Sequence, residues 1–296
     1  MPTIAPTSPV PPPTTGLATH RAATMSRALA APAWRVPGPE LPGIPPSHPA
    51  LPLPVPTLEQ LARIAESAPA SHRFTPGSHP STITNAHYSN TRAQLGYALA
   101  GPYNSVEGDV RIKDGIPVMV HDAGGASDLT FEQWALLAHR AGKHLRIDLK
   151  EARALPQVAS LLERIGVPSG SITFNVGIIT PWSHATQSPD AIRALRARFP
   201  ESWITLNLPV PLGPGFVLAE RFARTLHDPR LGVAILAGLT TAADVRLLRR
   251  SFAVVNAWNL PQLGSTDPAT WTARLRAMGV NGMIDLRRRD DPLAGD

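Results

Sequence analysis

Ser105-Val-Glu-Gly-Asp-Val-Arg-Ile-Lys-Asp-Gly-Ile-Pro-Val-Met-Val-His-Asp122 reads as two apolar runs joined by a Lys-Asp-Gly turn. Glu107 and Asp109 stand at i and i+2 on the first run, so strand geometry puts both carboxylates on one face. An Asp-Gly pair between two such runs is a strong hairpin signal. The chain is therefore expected to double back after Lys113 and deliver His121 beside the two acids. Paired carboxylates with a nearby imidazole form a hard-cation site that has an acid, base or nucleophile next to it.

Outward from this stretch, strand-like and helix-like segments alternate. Strands are expected at 83–88, 105–111, 144–150, 171–177, 203–209, 232–238, 253–260 and 280–286. Helical patterns lie near 91–100, 131–141, 155–165, 190–199, 215–226, 241–250 and 268–278, several with a Thr or Ser placed to cap them, such as Thr130 and Thr241. The arm 116–121 is extra to this alternation. Eight strands with helical crossovers are what a (β/α)8 barrel requires. An open doubly wound sheet is disfavoured because no Gly-rich phosphate loop follows any strand; Gly124-Gly125 follows the hairpin and opens no helix in that pattern.

Residues 1–56 hold about half of the 33 prolines, with runs such as Pro11-Pro12-Pro13. Such a segment lacks backbone donors and favours extended conformations, so a disordered Pro-rich leader is expected there, with any partner of its own unknown. Met25 is an alternative start. Residues 57–80 form a lead-in with a short amphipathic helix (Leu58, Leu61, Ile64), residues 81–290 the barrel, and 291–296 a tail.

Composition narrows the function classes. No apolar run is long enough to span a membrane. No secretory signal is visible, which favours a cytoplasmic over a secreted protein. With no cysteine there are no disulfides, no thiolate chemistry and no Cys-ligated zinc. The net charge of +6 comes from arginines scattered along expected helices rather than interleaved with aromatics, so no nucleic-acid partner is expected. Lysine occurs only at 113, 143 and 150, which makes Lys150, inside an apolar strand, worth following.

Chemistry in such a barrel sits at the C-terminal ends of the strands. There the sequence places His87 and Asn90, Glu107 and Asp109, Asp148 and Lys150, Asn175, Asn207 and Asp285. Each interrupts an apolar run, and an unpaired buried charge costs several kcal/mol. Asn90, Asn175 and Asn207 are expected to face the substrate, although a lone strand Asn such as Asn175 or Asn207 serves equally well for loop backbone. Asp285 is expected to pair with Arg287 or cap the barrel. His139 and His144, flanking a helix–strand loop, are expected on the surface, and His20, His48, His72 and His79 carry no functional expectation. The two polar i, i+2 pairs on neighbouring strands point to one cluster. In it Glu107, Asp109 and Asp148 would supply three oxygens to Mg2+ or Ca2+, and Lys150 a charge for a phosphate oxygen. His87 and His121 would share the attack or proton abstraction and the protonation of the leaving oxygen, which suits cleavage of a phosphodiester.

These residues resemble a known group. Glu107-Gly-Asp109 through His121-Asp is similar to the core of the glycerophosphodiester phosphodiesterases, metal-dependent TIM barrels. The finer resemblance is to the menorin family, which shares that superfamily with sphingomyelinase D-like phospholipases. It rests on His87-Tyr-Ser-Asn90, Glu107-x-Asp109, Pro117-Val-Met-Val-His121, Ser127-Asp-Leu-Thr-Phe-Glu-Gln-Trp134, Ile147-Asp-Leu-Lys150 and Phe174-Asn175. The resemblance implies His87 and His121 as the catalytic pair, Glu107, Asp109 and Asp148 as metal ligands and Lys150 as the phosphate contact. It departs at His87-Tyr-Ser, where phosphodiesterases carry Arg-Gly, and at Gly177, where menorins usually carry an acid. It departs again at Asn207-Leu-Pro-Val-Pro.

Three functions follow as expectations: a metal-dependent phosphodiester hydrolase acting on a small phosphodiester or phospholipid; a non-catalytic menorin-like binding protein that keeps the barrel and cation site; and a sugar-active barrel. The last is weakest, because acids at i and i+2 on one strand do not straddle a glycosidic bond.

Overall fold

The computed structural model describes residues 53–177, 187–208, 214–259, 267–288 and 291–293. The leader apart from 53–56, and the expected strand ends at Pro209 and Leu260, lie outside the described residues. The fold is a parallel eight-stranded α/β barrel of TIM type, nearly closed, with one antiparallel arm.

A lead-in helix, α1 (Leu58–Glu66), precedes β1 (Asn85–Ala86), α2 (Arg92–Ala100), β2 (Ser105–Lys113) and the arm β3 (Ile116–Met119). Then come α3 (Phe131–Arg140), β4 (His144–Leu149), α4 (Leu155–Ile165), β5 (Ile172–Gly177), α5 (Pro189–Arg198) and β6 (Trp203–Leu208). The chain continues with α6 (Pro214–Leu226), β7 (Leu231–Leu236), α7 (Ala242–Leu248), β8 (Val254–Trp258), α8 (Pro268–Ala277) and β9 (Ile284–Asp285). The strand order is β1-β2-β4-β5-β6-β7-β8-β9, every step parallel, with β3 on β2.

Local chemistry sets these boundaries. Thr57, Thr91, Thr130 and Thr241 each accept the backbone N–H three residues on, and Gln60, Gln94, Gln133 and Asp244 reach back to the cap. These capping boxes satisfy donors that a helix start leaves orphaned. Asp114 (φ 50°) and Gly115 (φ 79°) make the two-residue turn, with Lys113 opposite Ile116. That left-handed pair matches the twist of the strands it joins.

Alternation along the strands divides the core in two. Val106, Val110, Leu145, Ile147, Leu149, Phe174 and Val176 are buried among the apolar side chains that the strands share with the helices. The opposite parity fills the cylinder with polar groups: Ser105, Glu107, Asp109, His144, Arg146, Asp148, Thr173, Asn175, Thr205, Asn256 and Asp285 are all buried. The expected strand at 83–88 shrinks to two residues, and the one at 280–286 likewise. Among the described residues each of these strands has a backbone strand partner on one side only. Side chains span the gap between them: Asn85 Nδ2 donates to Asp285 Oδ2 at 3.0 Å, and His87 Nδ1 lies 2.5 Å from the same oxygen.

His144 corrects its surface expectation. It is 1% exposed, with its ring nitrogens 3.0 Å from Ser105 Oγ and 3.0 Å from Thr173 Oγ1. It shares the parity of Asp148, so it points into the cylinder. Burial, helped by Arg146, pushes its pKa down to about 3 from 6.5. Between those values the unfolded chain binds a proton that the folded chain refuses. Stability therefore falls as pH drops through this window, by about 1.4 kcal/mol per unit. Urea midpoints at pH 7 and pH 5 should show that slope, and His144→Gln should flatten it. An unchanged slope in the variant would refute the assignment.

The lead-in closes the N-terminal end. Phe74 N–H donates to Gly142 O at 2.8 Å and Gly77 N–H to Gly170 O at 2.9 Å, while Phe74, Ile83 and Met283 form a small apolar cluster. Lys143, 2% exposed, is tied to the carbonyls of Tyr103 and His72, and burial followed by repulsion from Arg73 lowers its pKa to about 8.

Candidate functional site

The strand register assembles the acids. Glu107 pairs with Arg146 and Asp109 with Asp148 across β2 and β4, and Asp148 pairs with Asn175 on β5. Glu107, Asp109 and Asp148 each offer a carboxylate oxygen, and these atoms lie within 4.8 Å of one another. They are 2%, 2% and 7% exposed. Three buried hard oxygens at this spacing fit a divalent cation such as Mg2+ or Ca2+.

Gly108 separates the two acids for a steric reason. A Cβ there would stand 2.3 Å from Met119 Cε and 3.3 Å from both Asn90 Oδ1 and the Trp134 ring. The strand's outer face lets β3 and α3 come close here, and a side chain would displace the end of Met119 and press on Asn90 and Trp134.

Lys150 reaches the same acids. Its ammonium is 2.8 Å from Asp109 Oδ1 and 2.7 Å from Asp148 Oδ2. Burial works against its charge, but the two carboxylates outweigh burial and hold its pKa above the ordinary lysine range.

His87 bridges β9 and β2. Its Nδ1 meets Asp285 and its Nε2 lies 3.3 Å from Glu107 Oε2. Burial would raise the Asp285 pKa, yet His87, Arg287 and Arg146 hold the carboxyl below the ordinary range. Asp285 was expected to pair with Arg287 or cap the barrel. Its hydrogen bond to His87 makes it a member of the cluster, which sequence reasoning missed. The signal was barrel closure, since the first and last strands must become neighbours.

Beyond His87 the chain makes a strained turn. Tyr88 has φ 59°, a left-handed conformation costing on the order of 1–3 kcal/mol outside glycine. Its N–H donates to Glu107 Oε2 at 3.0 Å. The turn brings Ser89 N–H and Oγ onto Glu107 O, and Asn90 onto Asp109. Asn90 Nδ2 donates to Asp109 Oδ2 at 2.6 Å, and Asp109 N–H donates to Asn90 Oδ1 at 2.8 Å. Both ends of the Asn90 amide are thus spent on Asp109, one on its carboxylate and one on its backbone N–H.

The arm places His121 on the rim. Val120 N–H donates to Asp109 O at 2.8 Å, and Arg111 Nε donates to His121 O at 2.7 Å. The His121 side chain is 45% exposed, with Nδ1 2.8 Å from the exposed Asp122. The Tyr88 ring stacks near His87, with centroids 6.4 Å apart, and lies 5.4 Å from His121. Asn175 and Asn207 sit on β5 and β6, Asn207 one layer nearer the mouth. The Oδ1 of each is buried without a hydrogen-bond partner among the described residues.

No helix among the described residues is long and apolar enough to cross a membrane. No curated protein matches the chain. Two solved structures are similar in fold. One is a protein from Silicibacter pomeroyi DSS-3 named as a candidate glycerophosphoryl diester phosphodiesterase, 14% identical, with 75% of this chain covering 93% of that one at a TM-score of 0.50. The other, named likewise, is from Agrobacterium tumefaciens str. C58, 15% identical, with 70% of this chain covering 94% of it at a TM-score of 0.50. Residues 80–205 match the Menorin N-terminal domain. That segment, a little under half of the chain, holds His87, the three acids, Lys150 and Asn175, and is similar to the menorin N-terminal domain, while the solved structures share the TIM-barrel fold.

Proposed function

We propose that this protein is a metal-dependent phosphodiester hydrolase of glycerophosphodiesterase or phospholipase D-like type, acting on a small phosphodiester or phospholipid. The observation that carries this reading is the gathering of Glu107, Asp109 and Asp148 within 4.8 Å, with His87 Nε2 3.3 Å from Glu107. The three acids would hold Mg2+ or Ca2+, which when bound supplies positive charge against the phosphoryl oxygens. Lys150 adds a second charge for a phosphate oxygen. His87, aligned by Asp285, and His121, on the rim, divide the proton work: one attacks phosphorus or takes a proton, the other protonates the leaving oxygen. Asn175 and Asn207 offer amide groups to the substrate from the far wall.

Turnover of bis-p-nitrophenyl phosphate and of lysophospholipids by purified protein should require Mg2+ or Ca2+ and stop in EDTA. Absence of turnover together with indifference to EDTA would end the enzyme reading.

A second reading, a binding protein that keeps the cation site without turnover, is favoured by the half-exposed His121, whose Nδ1 hydrogen-bonds to Asp122 rather than facing the acids. It predicts metal-dependent thermal stabilisation that persists in a His87→Ala, His121→Ala double variant, with neither form active.

A further inference from the structure

Deeper in the cylinder, toward its N-terminal end, lies a second polar group that the chemistry above does not use. Arg146 is 4% exposed, and its Nη1 is buried with no hydrogen-bond partner among the described residues. It forms a long ion pair with Asp285, whose Oδ2 lies 3.7 Å away, so its charge is partly compensated while its N–H stays beyond hydrogen-bond reach of that oxygen. Trp203 Nε1 is likewise buried and unpartnered. Asn256 Nδ2 has only a 3.5 Å contact to Thr205 Oγ1. Native proteins rarely leave such donors bare, because burial strips their water without replacing it.

All these residues line one cavity. Two of the acceptors on its wall are already engaged: Asn256 Oδ1 accepts from Met283 N–H at 2.8 Å, and Thr173 Oγ1 pairs with His144 at 3.0 Å. The wall is therefore rich in donors, one of them permanently cationic. A water placed there would need acceptors for its own protons, whereas an anion needs none. The cavity's free volume is about 10 Å³, room for a single small occupant.

We infer that this cavity binds a small monovalent anion, chloride in ordinary solution, held by the Arg146 guanidinium, the Trp203 indole N–H and the Asn256 amide. The site borders Asp285 through Arg146 but uses none of the three acids proposed to hold the cation, so it stands whether or not a phosphodiester is turned over.

Thermal unfolding of the full chain in potassium chloride and in potassium gluconate at equal ionic strength tests it. Chloride should raise Tm saturably, by about 3–5 °C at a tenfold excess over its Kd, where gluconate does not. Crystals grown in bromide should show an anomalous peak in the cavity. Arg146→Met should abolish the chloride-specific increment. Should that variant fail to fold, Trp203→Phe, which removes one donor and keeps the ring, should weaken chloride binding severalfold. Equal Tm in the two salts, or a cavity without bromide, would overturn the inference.

Discussion

Lys150→Met is expected to destabilise the metal-free protein by roughly 3–5 kcal/mol, and Mg2+ or Ca2+ should restore most of that loss. Lys150 Nζ sits between Asp109 and Asp148, 2.8 and 2.7 Å away, and both carboxylates are largely withdrawn from water. Without the ammonium, three acids face one another with their main counter-charge gone. The energy at stake is a large fraction of the 5–15 kcal/mol that holds an ordinary domain folded. A divalent cation would fill the same role from the same place, so the variant should gain more from added metal than the parent does. Urea unfolding of both proteins, with EDTA and with metal, reads the effect. Equal midpoints in EDTA would show that the ammonium is not the counter-ion of the cluster.

His87→Ala should lower kcat on bis-p-nitrophenyl phosphate by about 10²–10⁴-fold, the usual contribution of a positioned acid or base. Because no carboxylate ligand is removed, the metal-induced rise in Tm should survive. Asp285 acts through His87, with its Oδ2 2.5 Å from Nδ1, and is a positioning residue. Asp285→Asn should therefore give a smaller loss, confined to kcat with KM unchanged. Steady-state kinetics on both variants separates these roles. Retention of parental kcat by His87→Ala would remove the histidine from the chemistry.

Much of this arrangement was legible because it is written in short-range signals. Asp114-Gly115 predicts the hairpin, the Thr caps predict helix starts, and the i, i+2 spacing of Glu107 with Asp109 and of Asp148 with Lys150 predicts a shared face. Parity also held the answer for His144, four residues before Asp148 on one strand. Proximity to a helix end suggested surface, but the strand period governs once β4 begins at that residue. What stayed hidden depends on closure or on backbone strain. Asp285 is 198 positions from His87, and only the meeting of the first and last strands joins them. The left-handed Tyr88 has no local signature, since nothing in His-Tyr-Ser-Asn demands it. Yet that turn decides that Asn90 grips Asp109 rather than facing the mouth.

Where β1 and β9 meet, the cylinder is fastened by an imidazole and an amide gripping one carboxylate, with no backbone rung between the two strands among the described residues. Fastener and reagent are then the same atoms. Any proton drawn from or added to His87 during a reaction cycle would also loosen or tighten the wall itself, so at this seam mechanical integrity and reactivity cannot be tuned one without the other.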